Sequence, residues 1–382
     1  MIQYSENLPY LKSWIDTILS RINSLRSSKK SNEIIVFMIG TTANFSKNSK
    51  PYLTPTRTIA NGYVIGSIVY SQTQAAILSS KVDGLVDYFF VDVEKKIPLI
   101  INPDIRPYKY FNLNIFQPED NNRIELGNIS SMCKDIIKTS IMHEYKGNDI
   151  TLESVWMYLV NTFSDLSGLK IVIYGTGNIG NKLALKLAES GANIHMVTRD
   201  QEKSSLIASA LNNIKHKYVL SNISISTNDI YSSIDADAVI GCTNSEPVIS
   251  PEMVMVMNSN GVVVDVGKGT ISTDAIRACA ERNIRTWRAD ITPMIGSLVL
   301  SATAMNDLLS NKYGRRLLEC GVYVVSGGYI GNKYDVIVDS YRYPKELFGV
   351  CSDAGKILIE YDEIAKKNLL KVEKVISSYK NS

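Results

Sequence analysis

The chain has 382 residues, more than the ~250–300 at which a single hydrophobic core stops growing, so two domains are expected. Hydrophobic residues make up 45% and charged residues 21%, the composition of an ordinary globular protein. With 41 basic against 38 acidic residues the net charge is +3, and the basic residues are scattered, which argues against a nucleic-acid or membrane-surface partner. The five cysteines Cys133, Cys242, Cys279, Cys320 and Cys351 are odd in number and form no C-x-x-C pair, as expected of reduced thiols in cytosol. The opening MIQYSENLPYLK has no signal-peptide pattern, and no apolar run approaches ~18 residues. The expectation is a cytoplasmic protein.

Taken in order, Leu11, Trp14, Ile15, Ile18, Leu19, Ile22 and Leu25 recur at helical spacing and predict an amphipathic helix over residues 8–26. Residues 33–39, EIIVFMI, read as a buried strand ending at Gly40, followed by a polar loop that carries Lys47, Lys50 and Arg57. Residues 60–78 look helical. Residues 86–93 predict a second strand ending at Asp92 and Glu94, and 97–101 a third, while 103–130 carry few periodic signals. A helix near 131–141 completes a small N-terminal α/β domain, residues 1–150. A further helix over 148–163, with Thr151 as its N-cap, bridges to a second domain.

Residues 170–200, LKIVIYGTGNIGNKLALKLAESGANIHMVTRD from Leu169 on, contain the most informative pattern. A β-branched run, Ile171–Tyr174, leads at once into Gly175, Gly177 and Gly180 in G-x-G-x-x-G spacing. A helical face (Ile179, Leu183, Leu187, Ala188) and a second strand, Asn193–Thr198, come next. This strand–turn–helix–strand setting is the one in which the motif signals a dinucleotide. Gly175 allows the tight turn, Gly177 lets backbone approach a pyrophosphate, and Gly180 lets helix and strand pack closely. Thr176, Asn178 and Ile179 complete the cradle, at a helix N-terminus suited to phosphate. The second strand ends in Thr198, Arg199 and Asp200, with Lys203 just beyond; hydroxyl, guanidinium and ammonium favour the 2′-phosphate of NADP, whereas Asp200 would serve NAD.

The pattern continues as alternating strands and helices: strands at 238–241, 262–266 and 284–287, helices at 253–257 and 273–282. This predicts an α/β fold with a doubly wound parallel Rossmann sheet over residues 151–350. Ligands lie beyond the carboxyl ends of such strands, where Cys242, Thr243, Asn244, Gly267, Lys268 and Asp290 fall. Residues 295–318 read mostly as helices. An amphipathic helix over 356–379 is expected to pack back on the N-terminal domain, which residues 351–382 would join; a homodimer seam along it is a second reading.

From Thr151 to Gly269, about a third of the chain, the sequence resembles the amino-acid-dehydrogenase-like Rossmann proteins. These include shikimate dehydrogenase, glutamyl-tRNA reductase, methylenetetrahydrofolate dehydrogenase, and glutamate and leucine dehydrogenases. The resemblance rests on the bridging helix, GLKIVI and GTGNIG. TRDQEK is similar to the NADP-reading strand end of the shikimate dehydrogenase branch, with Thr198 where Asn is usual. GCTNSEP resembles the segment beside the nicotinamide ribose, and DVGKGT a strand end of methylenetetrahydrofolate dehydrogenases. The resemblance implies a nicotinamide cofactor and an N-terminal domain that contributes substrate groups. Residues 1–145 carry no motif of a named family.

The expected function is that of an NADP(H)-dependent oxidoreductase acting on a small polar metabolite, at a C=O/CH–OH or C=N/CH–NH centre in an interdomain cleft. Such chemistry needs a titratable proton donor. Lys268, between two glycines past a central strand, is the first candidate, and Asp290 at the next strand end could orient it. Lys50 and Asp92 are the N-terminal candidates. His143, His195 and His216 have no i,i+4 partner, so no metal site is expected. Two rivals are an enzyme holding its nicotinamide tightly for transient oxidation, as adenosylhomocysteine hydrolase does, and a non-catalytic nucleotide-binding protein.

Overall fold

The computed structural model describes residues 8–42, 50–70, 72–94, 129–244 and 246–380. Lys47 and the strand expected at 97–101 lie outside the described residues. The chain divides into two compact units, Met1–Gly296 and Ser297–Ser382.

The first unit opens with helix α1 (Leu8–Ser28), then strands β1 (Ile34–Gly40), β2 (Tyr52–Leu53), β3 (Arg57–Ile59) and β4 (Gly62–Ile68). Helix α2 (Gln72–Val82), β5 (Tyr88–Asp92), α3 (Ile129–Ile136), β6 (Ile141–Tyr145) and α4 (Gly147–Phe163) complete its first half. The first sheet runs β2-β4-β1-β5-β6, with β3 also beside β4. β4, β1, β5 and β6 are parallel, whereas β2 and β3 pair antiparallel with β4. The run IIVFMIG forms the central strand because both its faces are covered. Ile18 and Ile22 of α1 and Leu78 of α2 close one face over Phe37 and Phe89.

Two expectations change here. Residues 60–78 are not one helix: β4 pairs with β1 from Gly62↔Ile34 to Ile68↔Gly40 before α2 begins. A side chain at Gly62 would lie 2.0 Å from the Ile34 carbonyl and one at Gly66 2.6 Å from that of Met38, so the glycines serve close strand pairing. The bridging helix α4 starts earlier than expected, after Lys146, and Thr151 donates back to the Gly147 carbonyl at 2.9 Å instead of capping it.

The same unit continues with β7 (Lys170–Tyr174), α5 (Asn178–Glu189), β8 (Asn193–Val197), α6 (Gln201–Ile214), β9 (Ile223–Ser226) and α7 (Asp229–Ser233). Then come β10 (Ala238–Gly241), α8 (Pro251–Met255), β11 (Val262–Asp265), α9 (Thr273–Glu281) and β12 (Arg285–Arg288). The six strands are ordered β12-β11-β10-β7-β8-β9, all parallel, which is the doubly wound arrangement with its switch point between β7 and β10. Core clusters fill both faces, one around Leu159, Leu183 and Ile240, the other around Val172, Val239 and Met253.

Helix α10 (Thr292–Asp307) passes from the first unit into the second. The helical reading of 295–318 fails beyond it: a single wide turn, Leu308–Lys312, leads into β13 (Gly314–Leu317). With β14 (Tyr323–Ser326), β15 (Val336–Val338) and β16 (Leu347–Val350) it makes a four-stranded sheet. Helix α11 (Glu363–Lys380) spends its buried residues Ala365, Val372 and Ile376 on that sheet, against Val324, Val336 and Val350. Arg315 grips buried Asp335 with two bonds of 2.6 and 3.0 Å and lies over the Tyr323 ring.

Candidate active site

The turn between β7 and α5 has the geometry its glycines predict. Gly175 adopts a left-handed φ of 106°, and a side chain on it would meet the Cys242 backbone at 3.0 Å. At Gly180 a Cβ would lie 2.0 Å from the Gly175 carbonyl, so helix and strand approach too closely for any side chain. At Gly177 a Cβ would meet nothing within 4 Å: the space above the turn is open. Gly177 caps α5 without a side-chain hydrogen bond, which leaves the first N–H groups, at Asn178, Ile179 and Gly180, facing that space without helical partners. An open turn beneath a positive helix end fits a pyrophosphate.

A chain of hydroxyls links this turn to the end of β8. Ser204 Oγ lies 3.2 Å from Thr176 Oγ1 and 3.0 Å from Thr198 Oγ1. Asp200 is occupied: its carboxylate caps α6 by accepting from the Lys203 N–H at 3.1 Å. Arg199 is highly exposed, with Glu246 3.4 Å away. The strand end therefore presents a guanidinium outward while its carboxylate is turned to its own helix. Ser204 escaped the sequence reading because a helical serine has no motif of its own; its role comes from tertiary placement.

Across the switch point, Gly241, Thr243 and Gly267 pack backbone to backbone. A Cβ on Gly267 would lie 1.8 Å from the Thr243 carbonyl. The next turn is organised by Asp265, a carboxylate only 2% exposed. It accepts from the Gly269 N–H at 2.8 Å, from the Thr270 N–H at 3.1 Å and hydroxyl at 2.8 Å, and from Arg288 Nε at 3.0 Å. Burial acts to raise its carboxyl, but these donors outweigh it and hold the group below the ordinary carboxylate range. This fastened turn places Lys268 at φ 61°, a left-handed conformation that costs a non-glycine residue on the order of 1 kcal/mol. Lys268 is exposed.

The two halves of the first unit meet at Asp290. Its carboxylate accepts from the Thr292 N–H at 2.8 Å and hydroxyl at 2.6 Å, and its carbonyl accepts from Ser154 of α4. Arg57 of β3 donates from Nε to Thr292 Oγ1 at 2.8 Å. Burial works against ionisation of Asp290, but the Thr292 bonds and the charges of Arg57 and Lys268 prevail and lower its carboxyl. On the N-terminal side Asp92, 1% exposed, accepts from the Thr41 hydroxyl at 3.0 Å and the Glu94 N–H at 3.0 Å. Tyr145, at the end of β6, is buried; burial and the nearby carboxylates of Asp92 and Glu94 push its phenol well up, with Arg57 opposing. Lys50 lies over the Tyr10 ring at 4.9 Å, while Asp92 bonds at the ends of β1 and β5. The structure thus brings Arg57 to Thr292, whose N–H and hydroxyl hold the Asp290 carboxylate. Sequence spacing could not select Arg57, because it reaches Thr292 across 235 positions.

Cys242 is a poor thiolate: burial pushes its thiol up to about 12. His143 stacks on Tyr88 and lies tilted against Phe90, and His195 bonds Ser224 at 3.1 Å. Among the described residues no group of three His, Cys, Asp or Glu side chains could hold a metal, and no helix is long and apolar enough to cross a membrane.

Residues 159–281 match the family of shikimate / quinate 5-dehydrogenases. The match runs from within α4 to the end of α9 and so includes the glycine turn, the β8 end and the Asp265 turn. No curated protein matches the chain. Among solved structures, a shikimate dehydrogenase in complex with NADP+ is 15% identical, over 74% of this chain and 91% of its own, with a TM-score of 0.36. A chorismate mutase/shikimate 5-dehydrogenase fusion protein from Clostridium acetobutylicum is 16% identical, over 73% and 92%, with a TM-score of 0.34. L-tryptophan dehydrogenase from Nostoc punctiforme is 15% identical, over 59% and 57%, with a TM-score of 0.34. The matched segment belongs to the NAD(P)-binding Rossmann superfamily that includes shikimate dehydrogenase. The match supports an NAD(P)-dependent dehydrogenase.

Two variants separate packing from ligand space at the glycine turn. Gly180→Ala should destabilise the fold, since its methyl group would sit on the Gly175 carbonyl. Gly177→Ala should keep its unfolding midpoint in urea but weaken NADPH binding at least tenfold, about 1.4 kcal/mol. Equal stability losses in the two variants would contradict the assignment. A pH test bears on Asp265. Its folded pKa is depressed, so its contribution is present above the ordinary carboxylate value of about 3.9 and is lost as pH falls through the lower folded value. Asp265→Asn should therefore show a stability deficit at neutral pH that shrinks on acidification, measured by urea unfolding.

Proposed function

We propose that the protein is an NADP(H)-dependent oxidoreductase that acts on a small polar metabolite, at a C=O/CH–OH or C=N/CH–NH centre. Residues 1–150 would supply substrate contacts and residues from 151 on the nucleotide site. The observation that carries the reading is the open space over Gly177, beneath uncapped N–H groups of α5, on the switch-point edge that also carries Lys268 and Asp290.

In this reading the N–H groups of Asn178, Ile179 and Gly180 hold the pyrophosphate. Thr198, Arg199 and Lys203 receive the 2′-phosphate; the commitment of Asp200 to its cap is what favours NADP over NAD here. Cys242, Thr243, Asn244 and Gly267, at the neighbouring strand ends, would line the nicotinamide side of the site. When bound, the nicotinamide accepts or supplies hydride. The chain's own task is position and protons. Lys268 would exchange the proton at the substrate oxygen or nitrogen, and Asp290, at the next strand end, would orient it.

The strained backbone of Lys268 gives this role a distinctive test. Replacing it with glycine removes the left-handed penalty, so Lys268→Gly should be at least as stable as the parent chain. Turnover, followed by NADPH absorbance across hydroxy, oxo and amino compounds, should fall at least a hundredfold for any substrate the parent accepts. Retained turnover would remove Lys268 from the chemistry, and absence of turnover by the parent chain across all three classes would contradict the oxidoreductase reading.

A further inference from the structure

We propose that Glu246 is a specificity-determining residue of the nucleotide site: by pairing with Arg199 it competes with the 2′-phosphate of NADP and so narrows the preference for NADP over NAD. The inference deepens the oxidoreductase reading and rests on it.

Arg199 follows β8 and Glu246 follows β10, and these two strands lie on opposite sides of β7. Their side chains nevertheless meet, with Arg199 Nη2 3.4 Å from Glu246 Oε2. The contact therefore runs across the carboxyl end of β7, where the glycine turn begins. Each end of it is tied to that turn. On one side the Glu246 carbonyl accepts from the Thr243 hydroxyl at 3.3 Å, and the Thr243 methyl carbon lies 3.2 Å from where a Cβ on Gly175 would stand. On the other side Thr198, next to Arg199, is bonded by Ser204, which also bonds Thr176 of the turn itself. The carboxylate and the guanidinium are thus held at two edges of one phosphate cradle.

Magnitude decides what such a pair is for. The Arg199 side chain is 89% exposed and that of Glu246 68%, and ion pairs this exposed add little to stability. Its weight falls on the ligand instead. Among the described residues Arg199 has no other carboxylate partner, and the Asp200 carboxylate is taken by the Lys203 N–H. Glu246 is therefore the anion set against the group proposed to receive the 2′-phosphate. A phosphate monoester carries about −1.5 to −2 charge at neutral pH and seeks the same guanidinium donors. It must either displace the carboxylate from Nη2 or bind beside a like charge, and both routes cost affinity. NAD offers only a ribose hydroxyl at this place, leaves the pair intact and bears no such cost.

The test is a fluorescence titration of the full chain with NADPH and with NADH, comparing the parent with Glu246→Gln at low ionic strength. The variant should bind NADPH about three- to fivefold more tightly, with NADH affinity and the unfolding midpoint in urea unchanged. The gain should shrink as salt is added and vanish in the Arg199→Ala background, where Glu246 has no guanidinium to occupy. Unaltered NADPH affinity in Glu246→Gln, or a gain that survives Arg199→Ala in full, would overturn the proposal while leaving the oxidoreductase reading in place. Weaker NADH binding in Glu246→Gln would overturn it in favour of Glu246 as the acceptor for the ribose hydroxyl. A parent chain that binds neither nucleotide would overturn the proposal and the oxidoreductase reading together.

Discussion

The separation between helix α5 and the turn after β7 is the constraint that sets most of the site. With only 2.0 Å between a hypothetical Cβ at Gly180 and the Gly175 carbonyl, the helix is seated against the strand end and its first N–H groups are delivered to one place. Because Gly177 caps the helix without a side chain, those groups keep no capping partner, and a Cβ at Gly177 would meet no atom within 4 Å. The hydroxyls of Thr176, Ser204 and Thr198 then tie this turn to the neighbouring strand end, so that the phosphate cradle and the outward-facing Arg199 are set by one framework. A helix packed one side chain further away would lose all of these relations together.

A second buried interaction sets the opposite wall. Asp265 would be costly to bury alone, and it is stable there because five donor contacts converge on it. Those contacts fix a glycine-flanked turn in which Lys268 adopts a backbone conformation that lysine disfavours. Strain held by a buried hub, at the carboxyl end of a central strand, is the pattern expected where a side chain is positioned for use and not for stability. Thr292 extends the same framework to the other half of the unit through Arg57.

Much of the nucleotide half was legible in the sequence, because its signals are local. The β-branched run before Gly175, the glycine spacing and the helical face behind it all lie within one strand–turn–helix unit, and α/β alternation gave the strands at 238–241 and 262–265. What was missed is tertiary. β9 is a short edge strand, ISIS, with polar alternation too brief to register. β4 read as helix because what makes it a strand, the close pairing of Gly62 and Gly66 with Ile34 and Met38, is not local in sequence. The roles of Asp265, Ser204 and Arg57 depend on partners that only the fold brings near. Asp200 was ambiguous in sequence, and its capping bond to Lys203 is what assigns it a structural task.

Whether the glycine turn and the β8 end read NADP is decided by a calorimetric titration of the intact protein with NADPH and with NADH, repeated on Arg199→Ala. The expected result is one site per chain, with NADPH bound at least tenfold more tightly, about 1.4 kcal/mol. That preference should be lost in the variant, with NADH binding unchanged. Equal or reversed preference in the parent chain would mean that Asp200 leaves its cap to read the ribose. No binding of either nucleotide would contradict the nucleotide assignment altogether.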